Sequence, residues 1–303
     1  MGEIVTICTS SGKGQPKIEA REGTLIKNEG LAGDAHAVFT QHQVSLLAEE
    51  SIAKMDLKGS HPGSFAENLT TRGIDLANLA VGTRLQIGPE AILRITQVGR
   101  EGPNDCAIFD QVEECMMPRE GIFTEVLAGG KIKVGDYLDV KRSYRFAVIT
   151  ASDKGAAGER EDLSGPAIEQ ILLPLGDVIE SVIVPDDQPT LAKMMRRMIG
   201  RGVNAIFTTG GTGLGPRDIT PEATLDVVDR LVPGIGEAVR RETSAATPRA
   251  MLSRAIAGIS SRTLIINLPG SPKAVVECLA VIIPVLEHAL ETVCGEGGEC
   301  ART

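Results

Sequence analysis

The chain has 303 residues, and at about 150 residues per domain this length predicts two domains, each with its own core. Its 42% hydrophobic and 23% charged residues are typical of a globular protein. A net charge of −9 without a basic cluster argues against nucleic acid as a partner. No apolar run is long enough to cross a bilayer and no signal peptide is apparent, so we expect a cytoplasmic protein with no membrane partner.

The first 142 residues are predicted to be mainly β. Short apolar runs separated by Gly and Pro turns predict strands at 4–7, 84–87, 91–98 and 132–140. One helix is expected at about 44–54. Many short strands with frequent turns indicate a β-barrel or sandwich with small helical insertions, which we assign to residues 1–142.

The remainder, residues 143–303, alternates between predicted strands and helices. Strands are expected at 146–150, 178–184, 205–209 and 263–268. Helices are expected at 166–173, 190–201 and 274–290. This alternation indicates an open, mostly parallel sheet with helices on both faces.

The glycine-rich run 208–223 follows the third of these strands. Its glycines, at 210, 211, 213 and 215, leave backbone N–H groups accessible to an anion. Thr220-Pro221-Glu222 is typical of a helix start, where negative charge is favoured. Arg217 and Asp218 add a cation and a carboxylate. The run predicts a site for a phosphorylated ligand with Asp218 available for metal, although a structural turn would use the same glycines.

Polar residues follow the ends of all four predicted strands. In strand order they are Ser152 with Asp153, Asp186 with Asp187, the glycine run with Asp218, and Gly270-Ser271-Pro272. A single Asp at a strand end usually caps a helix, but four such loops at one edge of a parallel sheet favour a ligand site. Asp186 or Asp187 together with Asp218 could hold Mg²⁺, which prefers carboxylate and phosphate oxygens.

Several motifs occur in order across residues 144–290. They are Asp153, Glu161-Asp162-x-Ser164-Gly165, Val184-Pro185-Asp186, 208–223, Pro233-Gly234-x-Gly236-Glu237, Leu252-Ser253-Arg254 and 267–272. This combination strongly resembles the MogA/MoaB family of molybdenum cofactor biosynthesis proteins. The resemblance implies a three-layer α/β fold, a homotrimer and binding of molybdopterin. It also implies the activity of MogA members, which adenylylate molybdopterin with Mg²⁺ and ATP.

The same resemblance implies roles for individual residues. Asp186 and Asp218 match the family's two essential aspartates and are the predicted catalytic and Mg²⁺-binding residues. The other predicted molybdopterin and nucleotide ligands are Ser152, Asp153, Gly210, Gly211, Thr212, Gly213, Glu237, Gly270, Ser271 and Pro272. The terminal phosphate of molybdopterin would attack the α-phosphorus of ATP, a step that requires positioned phosphates and neutralised charge.

The N-terminal half resembles a second family over residues 4–140. The motifs are Gly12-Lys13-Gly14-x-Pro16-Lys17, Gly30-Leu31-x-Gly33-Asp34-x-His36-Ala37, 43–47, 65–71 and Met117-Pro118-Arg119-Glu120-Gly121. They look like a MOSC domain, a β-barrel module whose implied role is to bind the molybdenum cofactor or to carry sulfur. Cys106 is the best positional match for a sulfur-carrying cysteine, with a small buried side chain as the alternative. Lys13, Lys17, Arg72 and Arg119 are candidate contacts for the pterin phosphate.

Three functions remain open at this point. The first is a Mg²⁺-dependent molybdopterin adenylyltransferase fused to a MOSC module, with molybdenum-insertion proteins or molybdoenzymes as further partners. The second is a non-catalytic carrier or scaffold for molybdopterin. The third is sulfur transfer centred on Cys106. The presence of both Asp186 and Asp218 favours the first, because a protein that only binds the pterin would not need them.

Overall fold

The structure is a computed structural model that describes residues 1–12, 15–35, 37, 42–54, 63–99 and 117–295. The chain divides into two compact units, Met1–Arg142 and Ser143–Thr303. Among the described residues, no helix combines the length and the apolar composition needed to cross a membrane.

The N-terminal unit is built on a β-barrel. Its strands are β1 Gly2–Thr9, β2 Ile18–Ala20, β3 Glu22–Ile26, β4 Gly30–Leu31, β5 Val44–Ala48, β6 Leu69–Arg72, β7 Arg84–Ile87, β8 Ala91–Val98, β9 Ile122–Ala128, β10 Gly130–Lys133 and β11 Tyr137–Lys141. Seven of them lie in the order β11-β7-β8-β9-β5-β6-β1, and pairing of β1 with β11 closes the barrel. β2 pairs with β1, and β10, β3 and β4 form a separate small sheet.

Apolar side chains from these strands fill the barrel core. Ile4, Leu46, Leu85 and Leu93 are examples, each no more than 1% exposed. Because side chains alternate along a strand, every second position of a strand can face the barrel interior. Two short helices, α1 Glu49–Ala53 and α2 Met117–Glu120, and a 3-10 helix, Leu76–Asn78, complete the described part of this unit.

Two predictions for this unit were wrong in detail. The helix expected at 44–54 is confined to α1, because Val44–Ala48 is a fully buried strand that pairs with both β6 and β9. The single strand expected at 132–140 is two strands in different sheets. A turn separates them, with Gly135 at φ +88° and the Lys133 N–H bonded to Asp136 Oδ2 at 2.8 Å.

The C-terminal unit is an α/β domain with one six-stranded sheet. Its strands are β12 Tyr144–Ala151, β13 Gly176–Val184, β14 Ala205–Thr209, β15 Arg230–Leu231, β16 Ala257–Ser260 and β17 Thr263–Leu268. The order is β13-β12-β14-β17-β16-β15. The four strands β13, β12, β14 and β17 are parallel. β16 and β15 extend the sheet with antiparallel pairing, and the sequence did not predict them.

Helices cover both faces of this sheet. They are α3 Asp153–Ala156, α4 Ser164–Leu172, α5 Gln188–Gly200, α6 Thr220–Leu225, α7 Pro233–Thr243 and α8 Pro272–Cys294, with a 3-10 helix at Pro248–Leu252. One core contains Phe146, Phe207 and side chains of α4 and α8, and the other contains Ile149, Ile206 and side chains of α5. The carboxyl ends of the four parallel strands meet at one edge, where open α/β sheets bind ligands.

Candidate active site

A cleft of about 500 Å³ lies at this edge of the sheet. It is lined by eight of the predicted site residues: Ser152, Asp186, Gly210, Gly211, Asp218, Gly270, Ser271 and Pro272. Glu161, Leu163 and Ser164 also line the cleft; they belong to a motif that the sequence analysis identified but to which it assigned no ligand role. Arg160 and Pro216 are further lining residues. Asp153, Thr212, Gly213 and Glu237 are not among the lining residues, and Glu237 is exposed on α7.

The glycine loop begins where β14 ends, and its first two glycines need conformations that other residues adopt only with strain. Gly210 has φ +94° and Gly211 has φ +61°. A Cβ atom on Gly210 would collide with the Ala151 carbonyl oxygen. In the described part of the chain, the N–H groups of Gly211, Thr212 and Gly213 donate no hydrogen bond. Successive free N–H groups of this kind form a concave site for an anion.

Thr220 closes the base of this loop. Its hydroxyl donates to the Gly210 carbonyl oxygen at 2.8 Å, and its N–H donates to the Gly211 carbonyl oxygen at 3.0 Å. Thr220 is the first residue of α6, which begins without a side-chain cap. The motif at 220–222 therefore does start a helix, but the Thr220 hydroxyl bonds to the glycine loop and does not cap that helix.

Asp218 lies at the tip of the loop and is held by it. Its Oδ2 accepts a hydrogen bond from the Gly215 N–H at 2.7 Å, and its own N–H donates to the Gly215 carbonyl oxygen at 3.0 Å. A Cβ atom on Gly213 or Gly215 would lie 2.8 or 2.9 Å from Asp218 Oδ2, so both glycines make room for the carboxylate. Asp218 Oδ1 accepts no hydrogen bond from the described residues, which leaves it available to a ligand.

Asp186 is fixed by a reciprocal contact with Asp153. The Asp153 N–H donates to Asp186 Oδ2 at 3.0 Å, and the Asp186 N–H donates to Asp153 Oδ1 at 3.0 Å. Arg217 donates to both oxygens of Asp153, at 2.7 and 3.0 Å, and these bonds lower the pKa of the Asp153 carboxyl. Burial raises the pKa of the Asp186 carboxyl. Asp153 thus orients Asp186, whose Oδ1 has no hydrogen bond from described residues.

The alternative metal ligand, Asp187, has a different task. Its Oδ2 accepts a hydrogen bond from the Thr190 N–H at 3.0 Å and caps α5. Asp187 does not line the cleft, whereas Asp186 does. Of the two adjacent aspartates, only Asp186 is placed to reach a ligand together with Asp218.

Asp162, which belongs to a predicted motif but was given no site role, also lines the cleft. Its Oδ2 accepts from the Thr150 hydroxyl at 2.6 Å, and its Oδ1 accepts from the N–H groups of Ser164 and Gly165 at 2.9 and 3.0 Å. The Ser164 hydroxyl donates to the Gly270 carbonyl oxygen at 3.0 Å. These bonds connect the end of β12, the start of α4 and the loop before α8.

The two serines predicted as ligands differ in their contacts. The Ser152 hydroxyl accepts a hydrogen bond from the Gly155 N–H at 3.0 Å and caps α3. Ser271 occupies the N-cap position of α8, but its hydroxyl makes no capping hydrogen bond. Ser271 therefore presents a free hydroxyl beside the first turn of a long helix, where an anion is favoured.

The donor set of the cleft fits a magnesium ion that is bound together with a nucleotide. Within the described ranges, no three His, Cys, Asp or Glu side chains gather at one point to hold a metal ion. Two oxygens with no hydrogen bond, Asp186 Oδ1 and Asp218 Oδ1, belong to residues that line the cleft. Mg²⁺ in phosphate-transfer sites is usually held by one or two carboxylates, with phosphates and waters completing its shell.

The candidate site of the N-terminal unit is only partly described. Cys106, Lys13 and His36 lie outside the described residues. Lys17 is not a free phosphate contact, because its Nζ is 2.9 Å from Asp34 Oδ2 and both side chains are at most 3% exposed. Arg72 is paired with Glu3 and Glu49 at 3.1 and 2.6 Å. Arg119 lies on α2 and is exposed.

Comparison with known proteins agrees with this division of the chain. A family model described as a probable molybdopterin binding domain matches residues 147–288, and a MOSC domain model matches residues 32–139. A molybdopterin adenylyltransferase of Helicobacter pylori is 39% identical over 160 residues, which cover 51% of this chain and 90% of that protein. A molybdenum cofactor biosynthesis bifunctional protein of Chlorobaculum tepidum is 35% identical over 170 residues, which cover 56% of this chain and 53% of that protein.

A solved structure of the molybdopterin biosynthesis enzyme MoaB from a Thermus species is 47% identical, covers 50% of this chain and 97% of its own, and has a TM-score of 0.48. The α/β fold, its cleft and the family match define a protein of the molybdopterin-binding class. The match to the Helicobacter pylori relative, 39% identical with 90% of that protein covered, is more specific. The chain belongs to the MogA/MoaB family of molybdenum cofactor biosynthesis proteins and carries a MOSC domain before that region, which confirms both resemblances.

Proposed function

We propose that this chain is a molybdopterin adenylyltransferase that transfers AMP from ATP to the terminal phosphate of molybdopterin and releases pyrophosphate. The observation that carries the proposal is a single cleft whose lining includes the Gly211 N–H and two carboxylates, where the N–H and one oxygen of each carboxylate have no hydrogen bond to the described residues. The relative from Helicobacter pylori, named for this activity, supports it. A protein that only binds the pterin would not need the two carboxylates, Asp186 and Asp218.

In this proposal, the chain acts by positioning phosphates. A phosphate oxygen of molybdopterin forms a bond to the α-phosphorus of ATP, while the bond from that phosphorus to the bridging oxygen of the β-phosphate breaks. The electron pair leaves with pyrophosphate. The attacking phosphate is already ionised at neutral pH, so the step needs no general base. The N–H groups of 211–213 and the Ser271 hydroxyl would bind phosphate oxygens and stabilise their charge.

Asp186 and Asp218 are the proposed magnesium ligands. Mg²⁺ bound there would neutralise charge on the transferred phosphoryl group and its leaving group. Asp153 holds Asp186 through the reciprocal backbone contacts, and Gly215 holds Asp218, so each carboxylate is oriented before a nucleotide arrives. This arrangement lowers the cost of ordering the site when the nucleotide binds.

For the N-terminal unit, residues 1–142, we propose binding of the molybdenum cofactor, as the MOSC match suggests. Sulfur carriage by Cys106 stays a prediction, and a persulfide on Cys106 detected by mass spectrometry would support it. The homotrimer implied by the family also stays a prediction, which light scattering of the purified chain tests.

Release of pyrophosphate from ATP in the presence of molybdopterin and Mg²⁺ tests the proposed activity. We expect release by the unmodified chain and a loss of at least about a hundredfold in Asp218→Asn, a size typical of removing one key electrostatic group. Asp226→Asn is the matched control, because Asp226 accepts a hydrogen bond from Gln188 at 2.8 Å and does not line the cleft. No pyrophosphate from the unmodified chain, or equal rates in Asp218→Asn, would contradict the proposal.

A further inference from the structure

Arg254 donates hydrogen bonds to three carbonyl oxygens of the glycine loop, although it does not line the cleft. It follows the 3-10 helix at Pro248–Leu252 and is half-buried. Its backbone N–H donates to the Thr212 carbonyl oxygen at 2.9 Å, and its Nε donates to the Gly213 carbonyl oxygen at 2.7 Å. Both bonds hold the first half of the loop.

The other end of the guanidinium holds the second half of the loop. Arg254 Nη2 donates to the Asp218 carbonyl oxygen, and Nη1 and Nη2 both contact the Glu222 carboxylate. One planar side chain thus bridges Gly213 and Asp218 across the loop. Only the rigid fork of arginine presents N–H donors in this pattern, because the three protons of a lysine ammonium radiate from one atom.

The loop is therefore closed at three levels. Thr220 closes its base at Gly210 and Gly211, Arg254 closes its middle, and the contact between Asp218 and Gly215 closes its tip. Arg254 donates to the main-chain oxygen of Asp218 and not to its carboxylate. Its removal would release the backbone that carries this carboxylate without removing any group that faces the cleft.

Glu222 compensates the charge of Arg254. The hydrogen bond from Arg254 lowers the pKa of the Glu222 carboxyl, which keeps it ionised. A guanidinium beside Asp218 without such a partner would repel a divalent cation. Paired with Glu222, Arg254 can orient the loop without opposing metal at the carboxylate.

We propose that Arg254 is a positioning residue for the Asp218 carboxylate, and that it determines how tightly the cleft binds a divalent cation. This inference rests on the proposed function, since it concerns the metal site of that reaction. Arg254 would act on metal affinity and on kcat through the loop that carries Asp218. At a saturating concentration of Mg²⁺ it would change the KM for ATP little, because it does not line the cleft. A residue that only stabilised the fold would change none of these constants selectively.

Binding of Mn²⁺ in the presence of the α,β-methylene analogue of ATP, measured by electron paramagnetic resonance on the full chain, tests this role. We expect Arg254→Gln to weaken Mn²⁺ binding by about tenfold, equivalent to about 1.4 kcal/mol. Arg254→Lys should weaken it to a similar degree, because lysine keeps the charge and loses the fork. Arg241→Gln is the matched control, since Arg241 is exposed and contacts Glu242.

Pyrophosphate release by the same variants provides the second readout. At a saturating concentration of Mg²⁺ we expect kcat to fall by about tenfold or more in both Arg254 variants, with the KM for ATP within about threefold of its original value. Should Arg254→Gln fail to fold, Arg254→Lys carries the test. Full activity and metal affinity in Arg254→Lys would overturn the proposal. An inactive unmodified chain would instead contradict the proposed function.

Discussion

Both units of this protein contain clusters of charged and polar side chains, but the two clusters are built in opposite ways. In the barrel cluster, Lys17, Asp34, Glu67 and Asn68 are buried and bonded to one another or to nearby backbone. In the cleft, Asp186 and Asp218 each use one oxygen on the protein and leave the other open. Similar residue types therefore support the fold in one unit and a ligand site in the other.

The contrast shows how to separate structural from functional polar groups. A buried charge is costly unless it is paired and hydrogen-bonded, so the described part of the barrel cluster is satisfied internally. Cleft carboxylates that face solvent need no such pairing, and a fixed carboxylate with a free oxygen is ready for a cation. We expect mutations in the barrel cluster to change stability and mutations in the cleft to change turnover.

Lys17→Met should produce the largest change in stability. It removes the Lys17 ammonium from the buried Asp34 carboxylate, and breaking a buried pair usually costs about 3–5 kcal/mol of unfolding free energy. Urea denaturation followed by circular dichroism measures this. Lys54→Met is the matched control, because the pair of Lys54 with Glu120 is exposed and should contribute less than about 1 kcal/mol. Equal losses of unfolding free energy in the two variants would contradict the greater contribution of the buried pair.

Gly210→Ala should abolish most turnover. The added Cβ would meet the Ala151 carbonyl oxygen at a residue with φ +94°, so the loop must move. A displacement of about 1 Å at a reacting centre can cost about a hundredfold in rate, which pyrophosphate release would detect. Gly234→Ala, where a Cβ meets nothing within 4 Å, should leave the rate unchanged. A fully active Gly210→Ala variant would show that the loop geometry is unimportant.

The smallest expected effect concerns the thiol of Cys8, which should not react with an alkylating reagent in the folded chain. Burial, with Glu67 and Glu19 adding to it, raises the pKa of its thiol from 9.0 to about 12. At pH 8 the folded chain should leave Cys8 unmodified by iodoacetamide, while the urea-unfolded chain is labelled, as peptide mass spectrometry would show. Labelling of Cys8 at equal rates in the two states would contradict its burial.

The same shift in pKa has a consequence for stability. The folded state keeps the thiol protonated to higher pH than the unfolded state does. The stability from this difference is present below about pH 9 and is lost as the pH rises towards 12. The urea concentration at the midpoint of unfolding should therefore fall as the pH rises from 9 to 12. Cys8→Ala should make this midpoint depend less on pH.

The parts of the fold that depend on local sequence were predictable. The strands at 205–209 and 263–268 and the start of α6 follow from short apolar runs and from Thr220-Pro221. The glycine run and Asp218 were also visible, because the residues of the loop are adjacent in the chain. Val44–Ala48 was not, since a run compatible with a helix becomes a strand only when β6 and β9 pair with it.

Site residues that depend on tertiary contacts were the hardest to predict. Arg254 reaches Asp218 across 36 positions of sequence, and no local pattern reveals that contact. Glu237 was predicted as a ligand from a motif alone; it is exposed on α7 and is not among the residues that line the cleft. Its ligand role stays a prediction that the geometry of this chain does not support.

The central claim is that the cleft of the C-terminal unit joins AMP to molybdopterin. Its most direct test is the product formed when the full chain is incubated with molybdopterin, ATP and Mg²⁺, identified by mass spectrometry. We expect adenylylated molybdopterin and pyrophosphate in equal amounts, and neither product with Asp186→Asn. Molybdopterin recovered unchanged from the unmodified chain, with no pyrophosphate, would contradict the claim and favour a carrier role.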